Sequence, residues 1–408
     1  MLYRNIQKLS KISSSGKASL ETTIKAGYFG DPYMAEPGKI IFPSAHNFAG
    51  VNGTCYVEIW CGNAKQSAHY YQHSFGFEPF AYKGLETGST DTASYALRQN
   101  DITIVLTSAL RANSQISEFL GKHGDGVKFI ALSCDSSENA FSETTKRGAR
   151  SYASPSTEKD ETGSVTTSGI HTYGDTVHLF VEKHNYAGVF LPGFKPLKKI
   201  HSRKSFGLLY IDHLVGNVDW NQMDFWGNFY HEVFGMEQLI SFDDKDISTE
   251  FTALKSKVMT IGTGLVKYPI NEPAKGLKKS QIEEFIEFNS GPGVQHIAMA
   301  TNDIIGTVSQ MKENGVEFLS IPDEYYSSLS ERVGIISEDV EQLRNLGILV
   351  DRDDKGYLLQ IFTKPLTDRP TLFFEIIQRR GGFSFGKGNF KALFESIEGE
   401  QVKRGTLN

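Results

Sequence analysis

The chain has 408 residues, of which 39% are hydrophobic and 22% charged, with a formal net charge of -6. This length allows a substantial core and about two or three domains, and a thinly spread negative charge excludes an electrostatic nucleic-acid binder or a protein held to an anionic membrane. No run approaches the roughly 18 apolar residues of a membrane span, and Cys55, Cys61 and Cys134 lack metal-site spacing, which fits free thiols in a reducing compartment.

Residues 1–47 read as a tail and lead-in. The first twenty residues hold Arg4, Lys8, Lys11 and Lys17, several serines and no acid, a composition shared by transit peptides and flexible tails. Nothing there has the apolar core of a secretory signal, so the expectation is a flexible tail on a cytoplasmic protein. Order is expected from Phe48, with a strand at Cys55–Cys61, a helix from about Ala64 to Ser74 and a stop at Phe75-Gly76-Phe77. The same syntax returns as a strand at Leu209–Val215, a helix from about Met223 to Val233, and Phe234-Gly235-Met236.

A second echo is stricter. Gly126-Val-Lys-Phe-Ile-Ala-Leu, Gly148 and Pro155 match Gly293-Val-Gln-His-Ile-Ala-Met, Gly315 and Pro322 at one constant offset. Internal repeats bound the fold before anything else does. These give two homologous halves, 48–194 and 207–400, each of two strand-helix-strands modules, joined by the basic linker 195–206 and followed by a short tail, 401–408.

Three polar residues break apolar strand faces in the second half. His213 shares a face with Leu209, Ile211 and Val215, His296 with Val294, Ala298 and Ala300, and Glu375 with Phe373 and Ile377. Taken singly, each is a satisfied core histidine or a buried ion pair, because such groups survive in a core only when partnered. Taken together, two imidazoles and one carboxylate make a facial triad suited to non-haem Fe(II). The first half is an internal control: Phe129 matches His296, a looser alignment sets Phe180 opposite Glu375, and the strand matching His213 offers no histidine. The shape repeats and the ligands do not.

Ile211-Asp-His-Leu-Val-Gly-Asn217, Pro269-Ile-Asn-Glu-Pro273, Gly293-Val-Gln-His296, Leu358–Pro365, Phe374–Arg379 and Phe385-Gly-Lys-Gly-Asn-Phe390 occur in this order. They resemble the signature segments of the 4-hydroxyphenylpyruvate dioxygenase family, in the vicinal oxygen chelate superfamily. The resemblance implies an α+β protein with four βαβββ-type modules in two homologous open-barrel domains. It also implies Fe(II) on His213, His296 and Glu375. Ser256, Asn271, Gln281, Gln295 and Gln360 fall at the family's polar active-site positions, and Phe362, Phe373, Phe385, Asn389 and Phe390 at its substrate-binding ones, with Val215 bordering the metal. Gln295 alternates away from His296. Ser384 stands where the family often has glycine, which puts the local turn in question. Phe390, Leu393, Phe394 and Ile397 at i, i+3, i+4 and i+7 predict an amphipathic helix closing over the site.

The implied activity is conversion of 4-hydroxyphenylpyruvate and O2 to homogentisate and CO2 in tyrosine and phenylalanine catabolism, by a homo-oligomer, dimer or tetramer, without nucleic-acid or membrane partners. The rivals are side-chain hydroxylation of the same substrate, as in 4-hydroxymandelate synthase, an extradiol catechol dioxygenase, in which the same ligand set serves a different substrate, and a catalytically silent small-molecule-binding protein of the same superfamily.

Overall fold

The computed structural model describes residues 46–198, 205–244 and 247–407. The proposed tail up to Ala45 and the middle half of the linker, residues 199–204 with Lys199, Arg203 and Lys204, lie outside the described residues.

The first half contributes β1 (Val51–Trp60), β2 (Glu78–Lys83), β3 (Thr92–Gln99), β4 (Ile102–Ala109), β5 (Gly126–Cys134), β6 (Ser151–Asp160), β7 (Gly163–His171), β8 (Val177–His184) and the short β9 (Lys195–Pro196). They pair in the order β6-β7-β8-β5-β1-β4-β3-β2-β9, so two residues assigned to the linker extend the first sheet. The second half contributes β10 (Leu208–Asn217), β11 (Glu237–Phe242), β12 (Ala253–Thr260), β13 (Lys267–Ala274), β14 (Gly293–Thr301), β15 (Leu349–Arg352), β16 (Tyr357–Phe362) and β17 (Phe373–Arg380). Their order is β11-β12-β13-β10-β14-β17-β16-β15. In both sheets the first strand of each module runs parallel to the last, and the two modules meet through an antiparallel central pair, β1–β5 or β10–β14. These are the curled sheets of two homologous open barrels.

Helices cross over each module where sequence punctuation places them. Asn63 caps the helix Ala64–Phe75 by accepting from the Gln66 amide at 3.1 Å, and Ser280 and Glu283 form a capping box at the start of Gln281–Phe288. The helix expected from Met223 to Val233 is α-helical only to Phe229; Tyr230–Phe234 forms a wider π turn. Tyr230 is fully buried there, its hydroxyl 2.8 Å from His178 Nε2 and 3.0 Å from Thr172 Oγ1, which ties this turn to the first half.

The largest apolar cluster spans both halves. Phe374 of β17 packs its ring 5.1 Å from Phe75 and 5.7 Å from Tyr71 on the first helix. Because successive strand residues face opposite ways, locking Phe374 and Ile376 into this core fixes Glu375 towards the second barrel's interior.

Candidate metal centre

His213, Glu375 and His296 come from three neighbouring strands. In the sheet register His213 lies beside Ala298, which lies beside Glu375, while Val215, His296 and Phe373 form the next row. The methyl group of Ala298 leaves room for the imidazole and carboxylate to meet above it. His213 Nε2 is 3.1 Å and His296 Nε2 3.4 Å from Glu375 Oε2. The three ligand atoms lie within 4.8 Å of one another and all three residues are buried. Two neutral nitrogens and one anionic oxygen converging from one side suit a divalent ion with open positions on its other side.

Each histidine is preceded by the extra residue of a β-bulge. The β10–β14 register slips by one residue at Asp212 and again at Gln295. In a regular strand both side chains would face away from the following histidine; the bulges turn them back. Asp212 Oδ1 is 2.8 Å from His213 Nδ1, and Gln295 Oε1 is 3.1 Å from His296 Nδ1. With Nδ1 donating to these oxygens, Nε2 of each ring is left as the acceptor that a metal needs. The expectation that Gln295 points away from His296 is therefore corrected by the bulge.

Asp212 is itself clamped. Arg379 donates to its two oxygens from Nε at 2.8 Å and Nη2 at 2.9 Å, and Lys267 Nζ lies 3.6 Å away. Burial pushes the Asp212 carboxyl up, but Arg379 and Lys267 outweigh it and hold the group well below the usual carboxylate range. Burial likewise opposes ionisation of Glu375, yet the two histidines bring it down to about 2. Burial alone would lower His213, and the two carboxylates raise it; for His296 burial wins and its affinity for a proton falls.

The triad opens into a cavity of about 80 Å³. Val215, Ser256, Asn271, Gln281, Gln295 and Gln360 reach it, and Phe362, Phe373, Phe385 and Phe390 supply rings. Ser256 and Asn271 are cross-strand neighbours, and Asn271 Nδ2 donates weakly to Asn217 Oδ1 at 3.4 Å. Gln360 Oε1 is buried without a hydrogen-bond partner among the described residues. The backbone presses on it: a Cβ at Gly386, where φ is 76°, would lie 2.6 Å from that oxygen. Phe373 stacks on His296 with centroids 4.8 Å apart, and Phe385 meets His213 edge-on at 5.1 Å. The helix Phe390–Arg404 covers the opening with Phe390, Leu393, Phe394 and Ile397, the predicted stripe.

Asn389 does not line this cavity. It is fully buried behind it, where its Oδ1 accepts from the Tyr325 hydroxyl at 2.6 Å. The short turn Lys387–Asn389 buries this side chain in the fold and not in the cavity wall, so the structure does not bring it to the other candidate substrate residues. Ser384 is accommodated because Gly381 and Gly386 carry the left-handed conformations of this turn; Ser384 donates its amide to Asp353 Oδ2 and accepts from Arg379 Nη1, both at 2.8 Å.

Phe242, Ile247 and Pro269 also line the cavity, and Asp212 and Arg379 support it, although sequence reasoning did not select them. The signal for the last two was an acid beside His213 and an arginine closing the Glu375 strand. In the first half the register sets Tyr56 at the position of His213, Phe129 at that of His296 and Leu179, rather than Phe180, at that of Glu375. Phe180 faces the opposite side of β8, in the core shared with the second half.

Residues 210–361 match the family described as the glyoxalase, bleomycin resistance protein and dioxygenase superfamily. The chain is 48% identical over 368 residues to 4-hydroxyphenylpyruvate dioxygenase of Yarrowia lipolytica, covering 87% of this chain and 93% of that one. It is 48% identical to the Danio rerio enzyme of the same name, covering 86% and 91%, and 44% identical to that of Tetrahymena thermophila, covering 90% and 93%. Among solved structures, a triple mutant of 4-hydroxymandelate synthase from Streptomyces coelicolor superposes with a TM-score of 0.77 at 30% identity, over 86% of this chain and 99% of that one. The sheet order, the buried triad and this similarity over most of the chain agree: the protein belongs to the 4-hydroxyphenylpyruvate dioxygenase family.

Proposed function

We infer that the protein is a non-haem Fe(II) enzyme that converts 4-hydroxyphenylpyruvate and O2 to homogentisate and CO2. The observation that carries this reading is the convergence of His213, His296 and Glu375 at the wall of a cavity lined by aromatic rings and neutral side chains. When bound there, the ferrous ion supplies open coordination positions for the keto acid and the redox chemistry of O2. Atoms balance without a further co-substrate, since the keto acid provides two electrons by losing its carboxyl group as CO2 and both oxygen atoms enter the product.

The chain's own residues bind and orient. Phe362 from β16 and Phe390 from the closing helix flank the ring without offering a reactive group. Ser256, Asn271 and Gln281 are assigned to the phenol, and neutral groups suit that task because they hold a hydroxyl without forcing it to ionise. Gln360 offers its unpartnered carbonyl to the same ligand. Leu393, Phe394 and Ile397 keep bulk water from the centre.

The family relatives favour ring chemistry, while the structural neighbour favours a second reading, hydroxylation of the side chain. Anaerobic Fe(II) loading followed by 4-hydroxyphenylpyruvate and O2, with oxygen uptake and product identification by NMR, tests both. Homogentisate is expected; 4-hydroxymandelate would move the oxidation to the side chain, and no iron-dependent uptake would overturn the enzymatic reading.

A further inference from the structure

The first barrel lacks the triad but keeps an interior. A cavity of about 260 Å³, larger than the one at the metal centre, is lined by Tyr56, Glu58, Lys83, Thr107, Phe129 and Phe190 among others. The sheet registers map it onto the second barrel position by position. Tyr56 and Phe129 stand where His213 and His296 do, Ser94 and Thr107 where Ser256 and Asn271 do, Glu58 where Val215 does, and Lys83 where Phe242 does. Relative to the second barrel, this cavity has exchanged two metal-ligating rings for inert aromatic ones and two apolar walls for an acid and a base.

These charges face one space without forming a direct ion pair. Glu58 Oε1 accepts from Trp60 Nε1 at 3.2 Å, which leaves acceptor sites over on the carboxylate. Lys83 ends β2, and its ammonium forms no direct ion pair or hydrogen bond among the described residues. The Ser94 and Thr107 hydroxyls bond to each other at 2.8 Å, so they place no further polar demand on an occupant. An acid and a base that share an aromatic-lined cavity without pairing directly match a ligand that carries both signs of charge on an aromatic body.

We propose that the first barrel is a second binding site, for an aromatic α-amino acid, whose ammonium meets Glu58, whose carboxylate meets Lys83 and whose ring lies among Tyr56, Phe129 and Phe190. No chemistry occurs there. Burial raises the Glu58 carboxyl above its ordinary range, a desolvation that a cationic partner relieves.

The test is titration calorimetry of L-phenylalanine and L-tyrosine into the anaerobic, Fe(II)-loaded full chain. Saturable one-to-one binding of at least one of them is expected, unchanged in His296→Ala. It should weaken by at least about tenfold in Glu58→Gln and in Lys83→Met, the loss expected for one hydrogen bond to a charged group. On the unmodified protein, 3-phenylpropionate and phenethylamine, which each lack one charge, should also bind at least about tenfold more weakly than phenylalanine. This comparison does not depend on whether the variants fold. Absence of binding, equal binding of the singly charged analogues, or binding lost in His296→Ala but retained in Glu58→Gln would each overturn the proposal.

Discussion

Replacing Arg379 with methionine isolates the clamp behind the candidate metal centre. The change removes two charge-assisted hydrogen bonds to Asp212, at 2.8 and 2.9 Å, from a carboxylate whose side chain is 1% exposed. Lys267 remains, but at 3.6 Å and itself weakened as a cation by burial. Breaking a buried pair by removing one partner costs about 3–5 kcal/mol, because the other charge stays buried, and two hydrogen bonds to charged groups at about 1.5–3 kcal/mol each give an overlapping range of about 3–6 kcal/mol. Arg379 Nη1 also donates to the Gly382 and Ser384 carbonyls, so the turn carrying Phe385 should loosen as well. Urea unfolding of the metal-free variant should show this loss. In the double variant Asp212→Leu/Arg379→Met the stranded charge is gone and part of the stability should return, while His213 loses the partner of its Nδ1. Metal affinity in that double variant should fall by about 10–100-fold, the usual effect of removing such a partner. A double variant as unstable as Arg379→Met alone, or one that binds Fe(II) as tightly as the unchanged protein, would refute the reasoning.

His213→Ala, His296→Ala and Glu375→Ala should each abolish oxygen uptake while near-native circular dichroism is kept; full turnover in any of them removes that residue from the triad. Gln281→Leu should impair turnover or divert products with iron content unchanged, and loss of iron would argue against a substrate role. Gly386→Ala should raise KM and lower Tm together, because the left-handed backbone and the 2.6 Å approach to Gln360 leave no place for a methyl group; kinetics and melting like those of the unchanged protein would refute this contact. His178, fully buried, has its affinity for a proton cut by burial to a pKa of about 3 from an ordinary 6.5. It is neutral in the fold, so its stabilising effect is full above about pH 6.5 and is lost as pH falls towards 3. At pH 5 the loss is about 2 kcal/mol, and the stability gap between the unchanged protein and His178→Gln should shrink by that amount between about pH 7.5 and pH 5. Parallel pH curves would show that His178 is not titrating as described.

The strands, the crossover helices and the 126/293 repeat were legible because period-two alternation and glycine stops are local signals. The triad was legible because burial of a charge is costly enough to leave a mark in composition. The bulges were not, since an extra residue in a strand becomes visible only against the strand it pairs with. That is why Gln295 was expected to face away from His296, and why Asp212 was not selected. Equating Phe180 with Glu375 failed for a related reason: a shift of one residue reverses the face, and only the pairing of Ala131 with Leu179 fixes it. Asn389 was carried over by its place in a motif, which does not distinguish a residue that meets the ligand from one that supports the turn beneath it.

The slipped register has a counterpart in the first barrel. The β1–β5 pair slips at Cys55 and at Lys128, the positions equivalent to Asp212 and Gln295, although neither strand there carries a ligand. The kinked backbone is thus an inheritance of the barrel and not a product of coordination. Chemistry in this architecture is a matter of which side chains are hung on a frame that forms without them, and one chain displays the frame both furnished with ligands and bare of them.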